Sequence, residues 1–410
     1  MPKICLISDL HVSYNPRLWK EAFFWEGQGW EVVILNQWIF NKSRKRDVQI
    51  LQGHNIELKC YCNMIREEIS PFRFFFLRLR KRLASEMVKW LKIDLPYSIS
   101  YAPDSMIKYA LKEQADVYSA HAECALYCGV ELLKKGKRVF FDFEDWYSRD
   151  YLVPERPVRL FRRLEKYALH HGLFTLTTSK VMAEEMARVY ETSNHPQVIY
   201  NGFKPEDVIE LKLGRNDSPQ TLKLIWFSRN IGPNRGVERL VDVLNDLDIS
   251  FELHLLGEIT EAYQREIFNR FISNEHKRLI LHDFIAHEKL HSFLSSFDIG
   301  FAIEENINEN RKLTITNKIL QYLQAGLKVL ATDTAGQREV AGFFMDTVSL
   351  VSNEDTGRWG ETLIALSKMP SVNRVEQNLR FNEIFSMRAQ EEKLKILGRT
   401  YLIEFSSFEN

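Results

Sequence analysis

Residues 222–240 read LKLIWFSRNIGPNRGVERL. An apolar run from Leu222 to Ser228 gives way to a loop of Asn, Gly and Pro and then to a segment of helical period, which is the grammar of a βα unit. Outward from it, the second half repeats that grammar, with strands expected at Phe251 to Gly257, Arg278 to Phe284, Asp298 to Ile303, Lys328 to Asp333 and Thr347 to Val351. The first half follows the same rule at Lys3 to Ser8, Glu31 to Asn36, Asp116 to His121, Arg138 to Phe143, Phe174 to Ser179 and Val198 to Asn201. Short aliphatic runs separated by helices build mostly parallel sheets. The expected fold is therefore α/β, with two Rossmann-like doubly wound domains facing across a cleft. Their expected spans are 1–205 and 206–385, and a terminal helix in 386–410 is expected to pack back on the first domain. A turn-rich stretch through Asn216, Asp217, Ser218 and Pro219 marks the boundary between the domains.

The chain has 410 residues, enough for two domains at one per roughly 150 residues. Lys and Arg number 55 and so do Asp and Glu, so no overall charge draws the protein to nucleic acid. Five cysteines, Cys5, Cys60, Cys62, Cys124 and Cys128, form no CxxC pair and read as free thiols of a cytoplasmic protein. No signal peptide precedes KICLIS and no run of 18 apolar residues occurs, so the chain is expected to be neither secreted nor membrane-spanning. Residues 64–92 are basic and aromatic: Arg66, Arg73, Arg78, Arg80, Lys81, Arg82, Lys89 and Lys92 interleave with Phe72, Phe74, Phe75, Phe76 and Trp90. Two readings stand for them, a peripheral contact with an anionic membrane at its inner face and a domain helix with its apolar stripe turned inward.

In open α/β sheets ligands sit beyond the carboxyl ends of the strands. Asp9 and His11 follow the first expected strand, His121 ends another, and Asp142, Glu144 and Asp145 follow Arg138 to Phe141. Arg229 and Arg235 flank the loop before a helix start, where guanidinium groups and orphan N–H donors together suit a diphosphate. Asn317, Lys318 and Gln321 lie about one turn apart at the start of a second helix whose Ile319, Leu320 and Leu323 face the core. Asp142, Glu144 and Asp145 together suit general acid/base work. No metal site is expected, since His121, Cys124 and Cys128 lack a second ligand pair at the right spacing.

Two stretches carry a resemblance. Residues 226–240 run strand, Ser228-Arg229, loop, Arg235-Gly236, helix, and residues 316–333 read TNKILQYLQAGLKVLATD. With Asn15-Pro-Arg17, Leu164-Glu165, Thr178-Ser179, Asn201-Gly202 and Phe385-Ser-Met in the same order, nearly the whole chain resembles the GT-B glycosyltransferases of retaining family 4 (glycosyl transferases group 1). The resemblance implies a metal-independent, retaining hexosyltransferase of polysaccharide biosynthesis that needs no cofactor and takes a UDP-, GDP- or similar sugar as donor substrate. A glycan, lipid-linked sugar or small molecule with a free hydroxyl would be the acceptor. It implies donor contacts at Ser228, Arg229, Arg235, Gly257, Glu304, Glu305, Asn317, Lys318 and Gln321, and acceptor-side contacts at His11, Asn15, Arg17, His121 and Asp145. Glu144, Arg229 and Arg235 are the catalytic candidates; the resemblance places Glu144 at the family's His near the reacting sugar carbon, where a carboxylate would stabilise positive charge or orient the incoming hydroxyl. The chain departs from the family at Gln321 and Leu313, where the family carries Glu. Glu304 or Glu305 is the expected substitute for Leu313. Two other readings remain: a catalytically silent GT-B subunit that serves an active transferase, and a sugar-nucleotide epimerase or phosphorylase on the same fold.

Overall fold

The computed structural model describes residues 1–150, 153–204, 221–283, 285, 287–305, 307–370 and 372–402. The expected boundary through Asn216 to Pro219, and Phe284 at the end of an expected strand, lie outside them. Contacts divide the chain into two units, Met1–Tyr200 together with the chain from Glu391 onward, and Asn201–Gln390.

The first unit holds seven parallel strands: β1 (Lys3–Ser8), β2 (Glu31–Trp38), β3 (Ile56–Asn63), β4 (Val117–His121), β5 (Val139–Phe143), β6 (Thr175–Thr177) and β7 (Gln197–Val198). Their order is β3-β2-β1-β4-β5-β6-β7. Ile4, Cys5, Leu6 and Ile7 are all buried, as expected of a central strand covered by helices on both faces. Trp25 packs among Trp30, Phe140, Leu394 and Leu397. A Cβ added at Gly398 would lie 2.9 Å from the Trp25 ring, so the terminal helix Met387–Tyr401 meets this core closely. Each leucine it buries there contributes about 2 kcal/mol of transfer free energy. All five cysteines are free.

The second unit holds six parallel strands: β8 (Leu222–Ile231), β9 (Phe251–Ile259), β10 (Lys277–His282), β11 (Ile299–Ala302), β12 (Lys328–Thr332) and β13 (Val348–Val351), in the order β10-β9-β8-β11-β12-β13. Both sheets reverse direction of growth beside their first strand, between β1 and β4 and between β8 and β11. In doubly wound sheets that reversal opens the ligand crevice.

Besides β6 and β7, which stop at Thr177 and Val198, short of the expected Ser179 and Asn201, two elements differ from the sequence reading. The strand β3 was not expected. Its pattern IELKCYCN is half-exposed and sits at the sheet edge, where the apolar signal is weakest. The strand β8 continues to Ile231, past the expected end at Ser228, because the chain bulges between Phe227 and Asn230 and then resumes pairing with β9. Among the described residues, no helix is long and apolar enough to cross a membrane.

Candidate active site

Register places the first cluster. Ser8 on β1 pairs with His121 on β4, and His121 pairs with Asp142 on β5, so three adjacent strand ends present these side chains in one row. The helix Pro16–Gly27 supplies the groups that meet them. Asn15 caps it by accepting from the Leu18 N–H at 3.1 Å, and Pro16 takes the first helical position. From that helix Arg17 donates to both oxygens of Asp142, each at 2.8 Å, and to the Ile199 carbonyl at 2.7 Å. One turn on, Glu21 lies 3.1 Å from His121 Nε2 and accepts from the Trp25 indole at 3.2 Å.

Glu144 joins the cluster from the loop after β5. Its Oε1 accepts from Asn15 Nδ2 at 2.6 Å and lies 3.2 Å from His121 Nδ1. Burial alone would lower the His121 pKa, but the carboxylates of Glu21, Glu144 and Asp142 outweigh it and push it up to about 10. His121 is therefore protonated at neutral pH. Three carboxylates against Arg17 and His121 leave one negative charge, and Glu144, with a side chain 20% exposed, is the carboxylate that reaches solvent.

Glu21, His121 and Asp142 bring three ligand-type atoms within 4.8 Å of one another. The set does not suit a cation. Arg17 occupies both Asp142 oxygens, and a protonated imidazole has no lone pair to give. Cys124 and Cys128 are buried and their thiols are held protonated by burial, so they sit in the core as packing groups.

The remaining residues expected on the acceptor side divide. The His11 ring is buried, with Nδ1 2.6 Å from Asp47 and Nε2 accepting the Ile39 and Phe40 N–H groups, so no ring nitrogen is left for a ligand. It braces the loop. Arg17 is likewise spent on Asp142, whereas Asp145 is exposed. Asp9 accepts from the Cys124 N–H at 3.2 Å, and burial pushes its pKa up to about 7, helped by the charge of Glu123. Between His121 and the helix Glu123–Lys134 stands Ala122 at φ 70°, ψ −178°, a conformation almost confined to glycine. Such a residue stores about 1–3 kcal/mol of strain, and strain of this kind collects at functional sites.

In the second unit the bulge in β8 carries Ser228 and the exposed Arg229 at the strand's carboxyl end. Gly257 on β9 takes φ +148°, and a Cβ there would lie 2.0 Å from the Ser228 carbonyl oxygen, so only glycine lets the bulge close against β9. After the loop, Arg235 is half-buried and makes no ion pair with a described residue. Gly236, at φ +77°, begins the helix Val237–Asn245 without a side-chain cap and leaves its first N–H groups available. A Cβ at Gly236 would come within 2.4 Å of Ile303, which brings this helix start against the end of β11.

There Glu304 and Glu305 are each held by a cation. Glu304 pairs with Lys318 at 2.7 Å and Glu305 with Arg239 at 3.2 Å. Arg239 also grips Asn353, whose amide donates to the Glu304 carbonyl at 3.0 Å, and Thr332 Oγ1 accepts from the Glu304 N–H at 2.9 Å. The segment is thus fixed at backbone and side chain alike. The helix Asn317–Gln324 starts beside it: Asn317 accepts from Asn201 at 2.6 Å, and Lys318 lies 5.3 Å from the Trp226 ring centre. The Gln321 side chain is half-buried and makes no hydrogen bond with a described residue, and Leu313 is buried.

No protein-family profile matches the chain, and no curated relative matches it in sequence. Solved structures do match it in shape. HepE from Anabaena, in complex with UDP and glucose, is 13% identical with a TM-score of 0.62, covering 98% of this chain and 100% of its own. Sucrose-phosphate synthase from Thermosynechococcus elongatus is 13% identical with a TM-score of 0.65, covering 98% and 99%. The UDP-forming α,α-trehalose-phosphate synthase from Burkholderia vietnamiensis is 11% identical with a TM-score of 0.64, covering 98% and 100%. The fold is that of the GT-B glycosyltransferases. At such identities the likeness is one of fold, and the site must be argued from this chain's own residues. Within its GT-B frame, every residue expected to touch the donor lies in Asn201–Gln390 and every residue expected on the acceptor side lies in Met1–Tyr200. Glu21, Ala122, Arg239, Thr332 and Asn353 were not expected. Arg17, Glu21 and Trp25 recur every fourth residue on one helix, which was a readable signal for Glu21; nothing local connects Arg239 to Asn353.

Proposed function

We propose that this protein transfers a sugar from a nucleotide-sugar donor to a hydroxyl acceptor, with retention at the sugar carbon and without an essential metal. The observation that carries the reading is Arg235, which no carboxylate of a described residue neutralises, beside an uncapped helix start at the reversal between β8 and β11. A diphosphate satisfies both at once. Arg229 and Arg235 would take up the charge that develops as the bond between sugar carbon and phosphate oxygen breaks, its electron pair leaving with the diphosphate. Asn317 and Gln321 offer amide groups to the ribose. Lys318 is held against Glu304, so it fixes the rim of the site more than it meets phosphate directly. In the first unit Glu144 would accept a hydrogen bond from the acceptor hydroxyl; as the acceptor oxygen bonds to the sugar carbon on the face the diphosphate leaves, the hydroxyl proton would pass to a departing phosphate oxygen. Asn15 and protonated His121 hold the Glu144 carboxylate in place and aim it.

The UDP and glucose of the HepE complex and the UDP formed by the trehalose-phosphate synthase support UDP-sugars as the first donors to try. A thermal-shift screen against UDP-, GDP- and ADP-sugars, followed by product analysis with a panel of glycan acceptors, tests the reading. A donor that raises the melting temperature and is consumed only with an acceptor supports it, and failure of every donor to transfer its sugar to any acceptor counts against it. A silent binding subunit is the second reading, favoured by Leu313 and Gln321 and by the Lys318–Glu304 pair. It predicts no turnover in the same assay.

A further inference from the structure

The helix Pro71–Glu86 and the π-helical turn Met87–Leu91 that continues it carry two apolar stripes. Leu77, Ala84 and Val88 face inward and are buried. The second stripe, Phe72, Phe75, Phe76, Leu79, Leu83 and Trp90, recurs at helical spacing and faces outward, with Phe72 81%, Phe75 64% and Trp90 71% exposed. Soluble surfaces scatter large apolar residues singly, and a contiguous row of aromatics marks an interaction site. A groove of about 250 Å³ opens beside it, between Leu79, Leu83 and Met87 and the facing Leu95 and Tyr97.

Cations border this stripe, and they do two jobs. Arg80 lies over Tyr97 at 4.1 Å, and Lys81 donates to the Ile99 carbonyl at 3.0 Å, so these two fasten the helix to its unit. Arg78 and Arg82 are exposed one turn apart along the stripe's edge. A second basic strip adjoins the far end: Arg159 and Arg163 approach Asp94 at 3.6 and 3.4 Å, and Glu155 reaches Lys89 at 3.1 Å. Two strips that lie some seventy residues apart in sequence therefore form one basic border around one apolar face.

We infer that this face docks on an anionic lipid bilayer, with Phe72, Phe75 and Trp90 entering the acyl boundary, Arg78, Arg82, Arg159 and Arg163 meeting the headgroups, and the adjoining groove receiving an acyl chain. Charge complementarity selects this occupant. An amphipathic face with basic flanks gains from apolar burial and from anionic headgroups together, and neither term alone gives stable attachment.

The test uses the full chain with vesicles of phosphatidylcholine, plain or carrying about one-third phosphatidylglycerol, at ~0.1 M and ~0.5 M salt. The wild type is expected to sediment with the anionic vesicles at low salt and largely to release at high salt. The F72S/F75S/W90S variant should lower the bound fraction about tenfold or more, and R78E/R82E should do so on anionic vesicles with its circular dichroism unchanged. Bromine-labelled acyl chains should quench wild-type tryptophan emission, and W90F should lose most of that quenching, a readout that needs no disruptive variant. Wild type that stays in the supernatant with both vesicle types overturns the inference, as does equal sedimentation on plain vesicles. A wild type that is dimeric by sedimentation velocity and turns monomeric on F72S/F75S/W90S, with no vesicle binding, also overturns it and makes the face a contact between copies.

Discussion

The two units answer the same topology with opposite charge. Beside the β1/β4 reversal the cations turn inward, with Arg17 closed on Asp142 and His121 surrounded by carboxylates, and the group left facing solvent is Glu144. Beside the β8/β11 reversal the carboxylates Glu304 and Glu305 are the groups that are neutralised, by Lys318 and Arg239, and Arg235 stands at the loop with no carboxylate partner among the described residues. On the proposed reading, the first sheet end holds a hydroxyl and the second an anion. A doubly wound sheet fixes where a ligand sits, and the sign of the charge left unspent there fixes which ligand it is.

The comparison breaks first if the inward cations of the first unit are dispensable. Arg17→Met strands a buried Asp142 and is expected to cost about 3–5 kcal/mol, read as a large fall in melting temperature. A fall equivalent to less than about 1 kcal/mol would mean that Asp142 finds another partner, and the cluster is not organised as described.

His121 gives the next largest effect and ties it to pH. Its pKa in the folded chain, about 10, lies above its ordinary value of 6.5, so its contribution is full below about 6.5 and is lost as pH climbs through about 10. The stability gap between wild type and His121→Gln should therefore be widest in mild acid and close toward alkaline pH. A gap independent of pH would contradict a protonated imidazole.

Ala122 sharpens the comparison at the smallest scale. At φ 70°, ψ −178° it is strained, and Ala122→Gly is expected to stabilise the chain by up to about 1 kcal/mol after glycine's own entropy is subtracted. A lower melting temperature for this variant would show that the conformation stores no strain.

Much of the fold was legible because central parallel strands read as near-continuous apolar runs. β1 was expected at its observed bounds, and most other strands within a few residues of theirs. β3 was not legible, being a half-exposed edge strand, and neither was the continuation of β8, since a bulge interrupts the period that marks a strand. In the site, the residues themselves were found more readily than their partners. Sequence position puts His121 and Glu144 near strand ends, but that Glu144 is aimed by Asn15, or that Glu305 is held by Arg239, depends on register between strands and helices far apart in the chain. His11 shows the reverse case, since an N-terminal histidine after a strand looks available until Asp47 and two backbone N–H groups are seen to use it up.

Calorimetric titration of the full chain with the UDP-sugar that gives the largest thermal shift, compared across wild type, Arg235→Ala and Glu144→Gln, tests the division of charge most directly. Arg235→Ala should weaken donor binding about tenfold to a hundredfold, as loss of charge-assisted hydrogen bonds requires, while Glu144→Gln binds donor as the wild type does and loses transfer to the acceptor. Donor affinity unchanged in Arg235→Ala and lost in Glu144→Gln would contradict the account.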